Sequence, residues 1–179
     1  MPAEELMRLQ TMFTALLLAA STLPATGLAT VRYDAPPPNF AIPGAHGTRY
    51  LSDLRGKVVV IDFWATWCHV CTEELGDFVR AQQTFGDRVA IVTISEELPD
   101  VAAGYLRERN IALPIVEDSG GAISRVYSVE KWPITLVLDP TGDVSYVSVG
   151  GLNWDELADA IERAEAPAPA STPEAGVLQ

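Results

Sequence analysis

Cys68 and Cys71 are the only cysteines in the 179-residue chain, spaced as Cys68-His69-Val70-Cys71. Two thiols at this spacing can form a static bridge, supply half a metal site, or cycle between dithiol and disulfide. A bridge closing so short a loop removes little chain entropy compared with a long one. A structural zinc needs four ligands, and the only histidines are His46 and His69, the latter inside the motif. No metal or cofactor is therefore expected. Redox cycling fits the placement. The pair follows the apolar run Lys57–Phe63 and opens a stretch with helical spacing. A thiol at a helix N-terminus meets unpaired N–H groups and the positive end of the dipole, which stabilise a thiolate. A second thiol one turn further is close enough to resolve a mixed disulfide formed at the first.

The elements that must hold this pair can be read from periodicity. Lys57–Phe63 (KVVVIDF) is apolar on both faces, as a central strand is. Leu75, Phe78, Val79 and Phe85 recur at helical spacing after it. Arg88–Ile94 is a second buried strand, and Leu98, Val101, Tyr105 and Leu106 mark a second helix. A short strand at Leu113–Val116 and a helical turn at Ala122–Tyr127 follow. Ile134–Leu138 and Val144–Val149 flank Asp139-Pro-Thr-Gly-Asp143, a hairpin loop with glycine placed for positive φ. A last helix starts at Asn153 with Glu156 completing a capping box, and buries Trp154, Leu157 and Ile161. The order predicts an α/β fold: a mixed central sheet flanked by helices, parallel in its first part and antiparallel in its last two strands.

Hydrophobic residues make up 48% of the chain, enough for a packed core. Asp and Glu number 24 against 12 Lys and Arg, a net charge of −12, which offers no positive footprint for nucleic acid or an anionic membrane surface. Met12–Leu23 is an uncharged apolar run broken by Pro24, with small residues at Gly27 and Ala29 for cleavage, so residues 1–29 read as a signal peptide or an N-terminal membrane anchor. Glu4 and Glu5 precede the run where positive charge is the rule; a start at Met7, followed by Arg8, restores it. Residues 30–39 form a linker with three consecutive prolines. Residues 40–165 are the folded domain, and the Pro/Ala/Ser-rich 166–179 a disordered tail.

The segment Phe63-Trp-Ala-Thr-Trp-Cys-His-Val-Cys71 resembles the active-site signature of the thioredoxin superfamily. With Pro38-Asn-Phe40, Leu51-Ser-Asp-Leu-Arg-Gly-Lys-Val-Val59 and Trp132-Pro-Ile-Thr135, the chain resembles the TlpA-like branch of exported reductases, which includes the ResA and CcmG types. The likeness spans residues 38–165. It implies a thioredoxin-like fold with an N-terminal β-hairpin and an insertion around residues 99–116. Cys68 matches the exposed nucleophile, Cys71 the buried resolving thiol and Pro133 a cis-proline against the dithiol. Trp67, Trp132 and Pro133 are thereby candidates for the substrate-facing surface. Glu74 matches an acidic residue that tunes the cysteines in ResA-like members; the plain alternative is an exposed first-turn glutamate. Asp62 matches a buried aspartate of thioredoxins. Within so apolar a strand its carboxyl would be desolvated, its pKa would rise, and it could pass a proton to or from Cys71. The alternative is a pair with a nearby lysine such as Lys57.

The implied activity is thiol–disulfide exchange outside the cytoplasm, in the periplasm or at the outer face of the membrane. Its clients would be disulfide-bearing proteins, apocytochrome c among them, and its electrons would come from a membrane donor. His69-Val70 stands where the family often has proline, and a protonated His69 would stabilise the neighbouring thiolate. Two other activities occur on this fold. A thiol peroxidase carries Thr or Ser three residues before its reactive cysteine, where this chain has Ala65. A copper-delivery module uses cysteines four apart and a distant histidine, and none follows His69.

Overall fold

The computed structural model describes residues 37–44, 47–98 and 100–166. The expected signal or anchor segment, most of the linker and the tail beyond Ala166 lie outside the described residues, as does His46. Strands β1 (Ala41–Ile42) and β2 (Arg49–Tyr50) form a small antiparallel hairpin. The main sheet contains β3 (Val58–Phe63), β4 (Val89–Ser95), β5 (Ile115–Glu117), β6 (Ile134–Leu138) and β7 (Val144–Val149), in the order β5-β4-β3-β6-β7. β3 pairs parallel with β4, and β4 with β5, whereas β6 runs antiparallel to both β3 and β7. The helices are α1 (His69–Phe85), α2 (Val101–Glu108), α3 (Ala122–Val126) and α4 (Trp154–Glu165).

Every residue of β3 is buried, because the sheet is covered on both sides. Val58, Val60 and Trp64 pack on Leu75, Phe78 and Phe85 of α1, Leu106 of α2 and Leu157 and Ile161 of α4. Val59, Ile61 and Phe63 point the other way, onto Phe40, Ile42, Leu51, Leu54 and Tyr127. Each such side chain contributes about 1.5–3 kcal/mol on leaving water. This two-residue alternation turns Asp62 toward the α1 face.

Local chemistry sets the element ends. Gly86 (φ 57°) stops α1, and Gly142 (φ 92°) lets the β6–β7 hairpin turn. Asn153 Oδ1 accepts the N–H groups of Asp155 and Glu156, and the Glu156 carboxylate accepts the Asn153 N–H at 3.0 Å, completing the capping box. Two local readings shift. Trp154 is half-buried rather than buried, and the Arg80 guanidinium lies over its ring at 3.8 Å. Ordered contacts begin before Phe40: Tyr127 Oη–H donates to the Pro38 carbonyl at 2.6 Å, and the Ser52 N–H donates to Asn39 Oδ1 at 3.0 Å.

Candidate active site

At the end of β3, residues Trp64–Trp67 turn the chain into α1. Cys68 is the N-cap of that helix, and its Sγ accepts the Cys71 N–H at 3.3 Å. The two sulfurs are bonded (S–S 2.07 Å), so the structure is the oxidised form. Cys71 has 0% exposure, while Cys68 is half-buried and His69 and Val70 are exposed. An incoming thiolate or disulfide can therefore reach Cys68 but not Cys71. His69 Nε2 lies 3.2 Å from a Glu73 carboxylate oxygen, one helical turn on.

The Trp132–Pro133 peptide bond is cis, and Pro133 is buried. Trp67 is 68% exposed and meets Trp132 edge-to-face at 5.7 Å, giving the entrance an aromatic rim. The loop after β7 closes the other side. Gly150 N–H donates to the Pro133 carbonyl at 3.0 Å. A Cβ on Gly151 (φ 96°) would fall 2.6 Å from Val70 Cγ1, 3.6 Å from Glu74 Oε2 and 3.7 Å from Pro133 Cγ. Only glycine permits this approach. Sequence reasoning does not single Gly151 out, although a Gly-Gly pair directly after a strand is a usable signal.

Behind Cys71 lie the two carboxylates. Asp62 is wholly buried; its Oδ1 accepts the Thr135 hydroxyl at 3.1 Å, and its Oδ2 has no hydrogen-bond partner among the described residues. Its partner is thus Thr135 across the strand pair rather than Lys57. Thr93, Asp62, Thr135 and Ser148 stand in register across four strands, a polar row at the level of the dithiol. Desolvation raises the Asp62 pKa well above the ordinary aspartate value, the nearby charge of Glu74 raises it further, and the Thr135 hydrogen bond opposes the rise. Glu74 is 4% exposed, not a surface first-turn residue. Its Oε2 accepts the Leu152 N–H at 3.1 Å, and its Oε1 has no partner among the described residues. Burial pushes its pKa up to about 7; the Leu152 hydrogen bond pulls against that, and Asp77 adds to it. A cleft of about 380 Å³, lined by Val70, Glu73, Glu74, Asp77 and Gly151, runs beside it.

The structure therefore brings all seven expected residues to one end of the sheet: Cys68, Trp67, Trp132 and Pro133 in front, Cys71, Asp62 and Glu74 behind. One further residue joins them that the sequence pattern does not signal. Glu97, just past β4, accepts both the N–H and the hydroxyl of Thr66. Among the described residues no cluster of three or more His, Cys, Asp or Glu side chains is arranged to hold a metal ion.

A mixed sheet with a dithiol at a helix N-cap and a cis-proline beside it defines a thioredoxin-like redox protein. The chain belongs to the AhpC/TSA family, whose profile matches residues 34–147. Among curated relatives, the thiol-disulfide oxidoreductase ResA of Bacillus subtilis is 30% identical over 125 residues, covering 68% of this chain and 70% of that one. The thioredoxin-like protein YneN of the same organism is 28% identical over 130 residues, covering 70% and 76%. A crystal structure from Chlorobium tepidum described as a thiol:disulfide interchange protein DsbE superposes with a TM-score of 0.64 at 29% identity, covering 72% of this chain and 94% of that one.

Proposed function

We propose that this protein is a thiol–disulfide oxidoreductase that reduces disulfides of exported proteins. The observation that carries the reading is the asymmetry of the pair: Cys68 reachable at a helix N-cap, Cys71 fully buried one turn behind. The Cys68 thiolate attacks one sulfur of a client disulfide. That S–S bond breaks, a mixed disulfide forms, and the departing client sulfur takes up a proton. Cys71 then loses its proton and attacks Cys68 Sγ, which releases the second client thiol and closes the Cys68–Cys71 bond. The ionised form of Asp62 is the proton acceptor for Cys71. Its raised pKa brings it closer to that of a thiol, which makes the transfer less uphill. Glu74 modulates Asp62 through charge.

The N-terminal reading supports work outside the cytoplasm, with residues 1–29 as the targeting or anchoring segment, and the electrons would then come from a membrane donor. Among the described residues no helix is long and apolar enough to cross a membrane. Ala65, three residues before Cys68, is buried and carries no hydroxyl, so nothing at that position supports peroxide reduction. The deciding measurement is the reduction potential of the Cys68–Cys71 couple, with insulin disulfide reduction alongside. A potential near ~−270 mV supports a reductase, and one near ~−120 mV would make the protein an oxidant.

A further inference from the structure

We infer that Glu97 is a positioning residue for the nucleophilic cysteine, holding the loop that carries Cys68 through a two-point grip on Thr66. The inference rests on the thiol–disulfide reading above. Thr66 lies two residues before Cys68, in the turn between β3 and α1. Its N–H donates to Glu97 Oε2 at 2.8 Å, and its hydroxyl donates to Glu97 Oε1 at 2.6 Å. Both carboxylate oxygens are thus engaged by one residue, a geometry that fixes orientation as well as distance.

Glu97 is itself held. The Ser95 hydroxyl donates to Glu97 Oε2 at 3.2 Å, and the Glu97 N–H donates to Ser95 Oγ at 3.3 Å. Ser95 ends β4, whose Ile94 carbonyl also accepts the Trp64 N–H at 3.0 Å. The active-site turn is therefore tied to the rigid strand β4 at both Trp64 and Thr66. Between that tie and the helix stand only Trp67 and Cys68.

What the grip controls is the sulfur. Cys68 sits in extended backbone (φ −89°, ψ 105°), where its Sγ accepts the Cys71 N–H, and its own N–H donates to the Ala65 carbonyl at 3.1 Å. A thiolate at that spot is stabilised by the first turn of the helix. Releasing Thr66 frees the turn and lets Sγ leave the N–H. The charged and titratable groups of this region are His69, Glu73 and Glu74 on α1 and Asp62 on β3. Glu96, beside Glu97, turns instead toward Gly121 with Arg125. None of these groups changes in the variants below. Glu97→Ala also removes one carboxylate near the sulfur, whose loss by charge alone would lower the midpoint, so a rise reads the loss of the grip.

The experiment measures, in the reduced full chain, the pH midpoint and rate of Cys68 alkylation by iodoacetamide, next to insulin reduction. Glu97→Ala is expected to raise the midpoint by about one unit, a loss of thiolate at neutral pH of up to about tenfold. Thr66→Val, which removes only the hydroxyl contact, should give a smaller shift in the same direction, and Thr66→Ser should restore the wild-type value. The double variant Thr66→Val/Glu97→Ala should match Glu97→Ala alone, because both act through one grip. An unchanged midpoint in a folded Glu97→Ala protein overturns the inference. Should that variant fail to fold, an unchanged midpoint in Thr66→Val overturns it equally. Alkylation reads Cys68 without a client, so a wild-type protein that alkylates normally but reduces no disulfide defeats the functional reading and leaves the test of the grip intact.

Discussion

The two faces of β3 are built by opposite rules. On one, Val59, Ile61 and Phe63 pack into an ordinary apolar core. On the other, Val58 and Val60 are followed by Asp62, which sits wholly buried with one oxygen unpartnered among the described residues and Glu74 as a charged neighbour. Burying a carboxylate this way is costly. The cost is confined to the end of the strand that adjoins Cys71. A feature that weakens the fold at one place, next to a reactive pair, points to chemistry rather than to packing.

The largest effect expected on the carboxylate face is that of Cys71→Ser. Attack from Cys68 still proceeds, resolution cannot, and turnover stops with the protein held as a mixed disulfide. Mass spectrometry of species trapped in an oxidising extract would identify the clients. If nothing is trapped, protein disulfides are not the substrates.

On the apolar face the counterpart is Ile61→Ala. Ile61 has no exposure, and its truncation should cost about 3–4 kcal/mol through lost burial and the cavity left behind. The rate of disulfide exchange in the folded fraction should not change. Asp62→Asn, one residue along, should do the reverse: slow the resolving step and remove a destabilising ionisation. The folded-state pKa of Asp62 lies above its unfolded value, so the stabilisation tied to the protonated form is complete below the unfolded pKa. It is lost as pH rises from there through the folded pKa. The advantage of Asn over Asp therefore grows over that interval and then levels off. Denaturant melts at several pH values paired with stopped-flow kinetics read both halves. A pH-independent difference between the two proteins would place Asp62 with the structural residues.

Glu74→Gln tests the partner carboxylate. With a folded pKa of about 7 against an ordinary value of 4.5, wild-type stability should fall between those two pH values by at most about 3 kcal/mol. Gln can still accept from the Leu152 N–H, so the variant should keep the contact and lose Glu74's share of that slope, leaving the share that Asp62 contributes. A slope as steep as that of the wild type in the variant assigns the titration to another group.

Much of this arrangement is legible in the amino-acid sequence alone. The continuous apolar run of β3, the helical spacing of Leu75, Phe78 and Phe85, the Asn153–Glu156 capping box and the cysteine spacing are local patterns, and local patterns survive in one dimension. Asp62 is conspicuous because its neighbours are apolar. What the sequence does not disclose is made by residues distant in the chain. Thr66 and Glu97 are 31 positions apart, and Tyr127 and Pro38 are 89 apart. A glutamate after a strand looks like any solvated loop residue until the active-site turn is folded onto it. Gly151 likewise takes its meaning from Val70, which it meets only when the loop after β7 closes on the start of α1.

The smallest effect expected is that of His69→Ala, and it bears on how the outer cysteine is tuned. A histidine inside the motif suggests a cation that stabilises the Cys68 thiolate. The structure turns its Nε2 to Glu73 instead, in a pair whose side chains are 84% and 65% exposed. Water and salt screen such a pair, whose typical worth is about 0.2–1 kcal/mol. The carboxylate also offsets whatever positive charge the imidazole carries. Removing His69 should therefore move the pH midpoint of Cys68 alkylation by less than about 0.7 units, the equivalent of the upper end of that range. The shift should be smaller still when Glu73 is removed together with His69, since the two contributions to the thiolate have opposite sign. A shift of more than a full unit in His69→Ala would mean that the imidazole faces the sulfur in the reduced protein. The outer half of the site would then be tuned by charge, as the buried half is, and not by the geometry of the helix start alone.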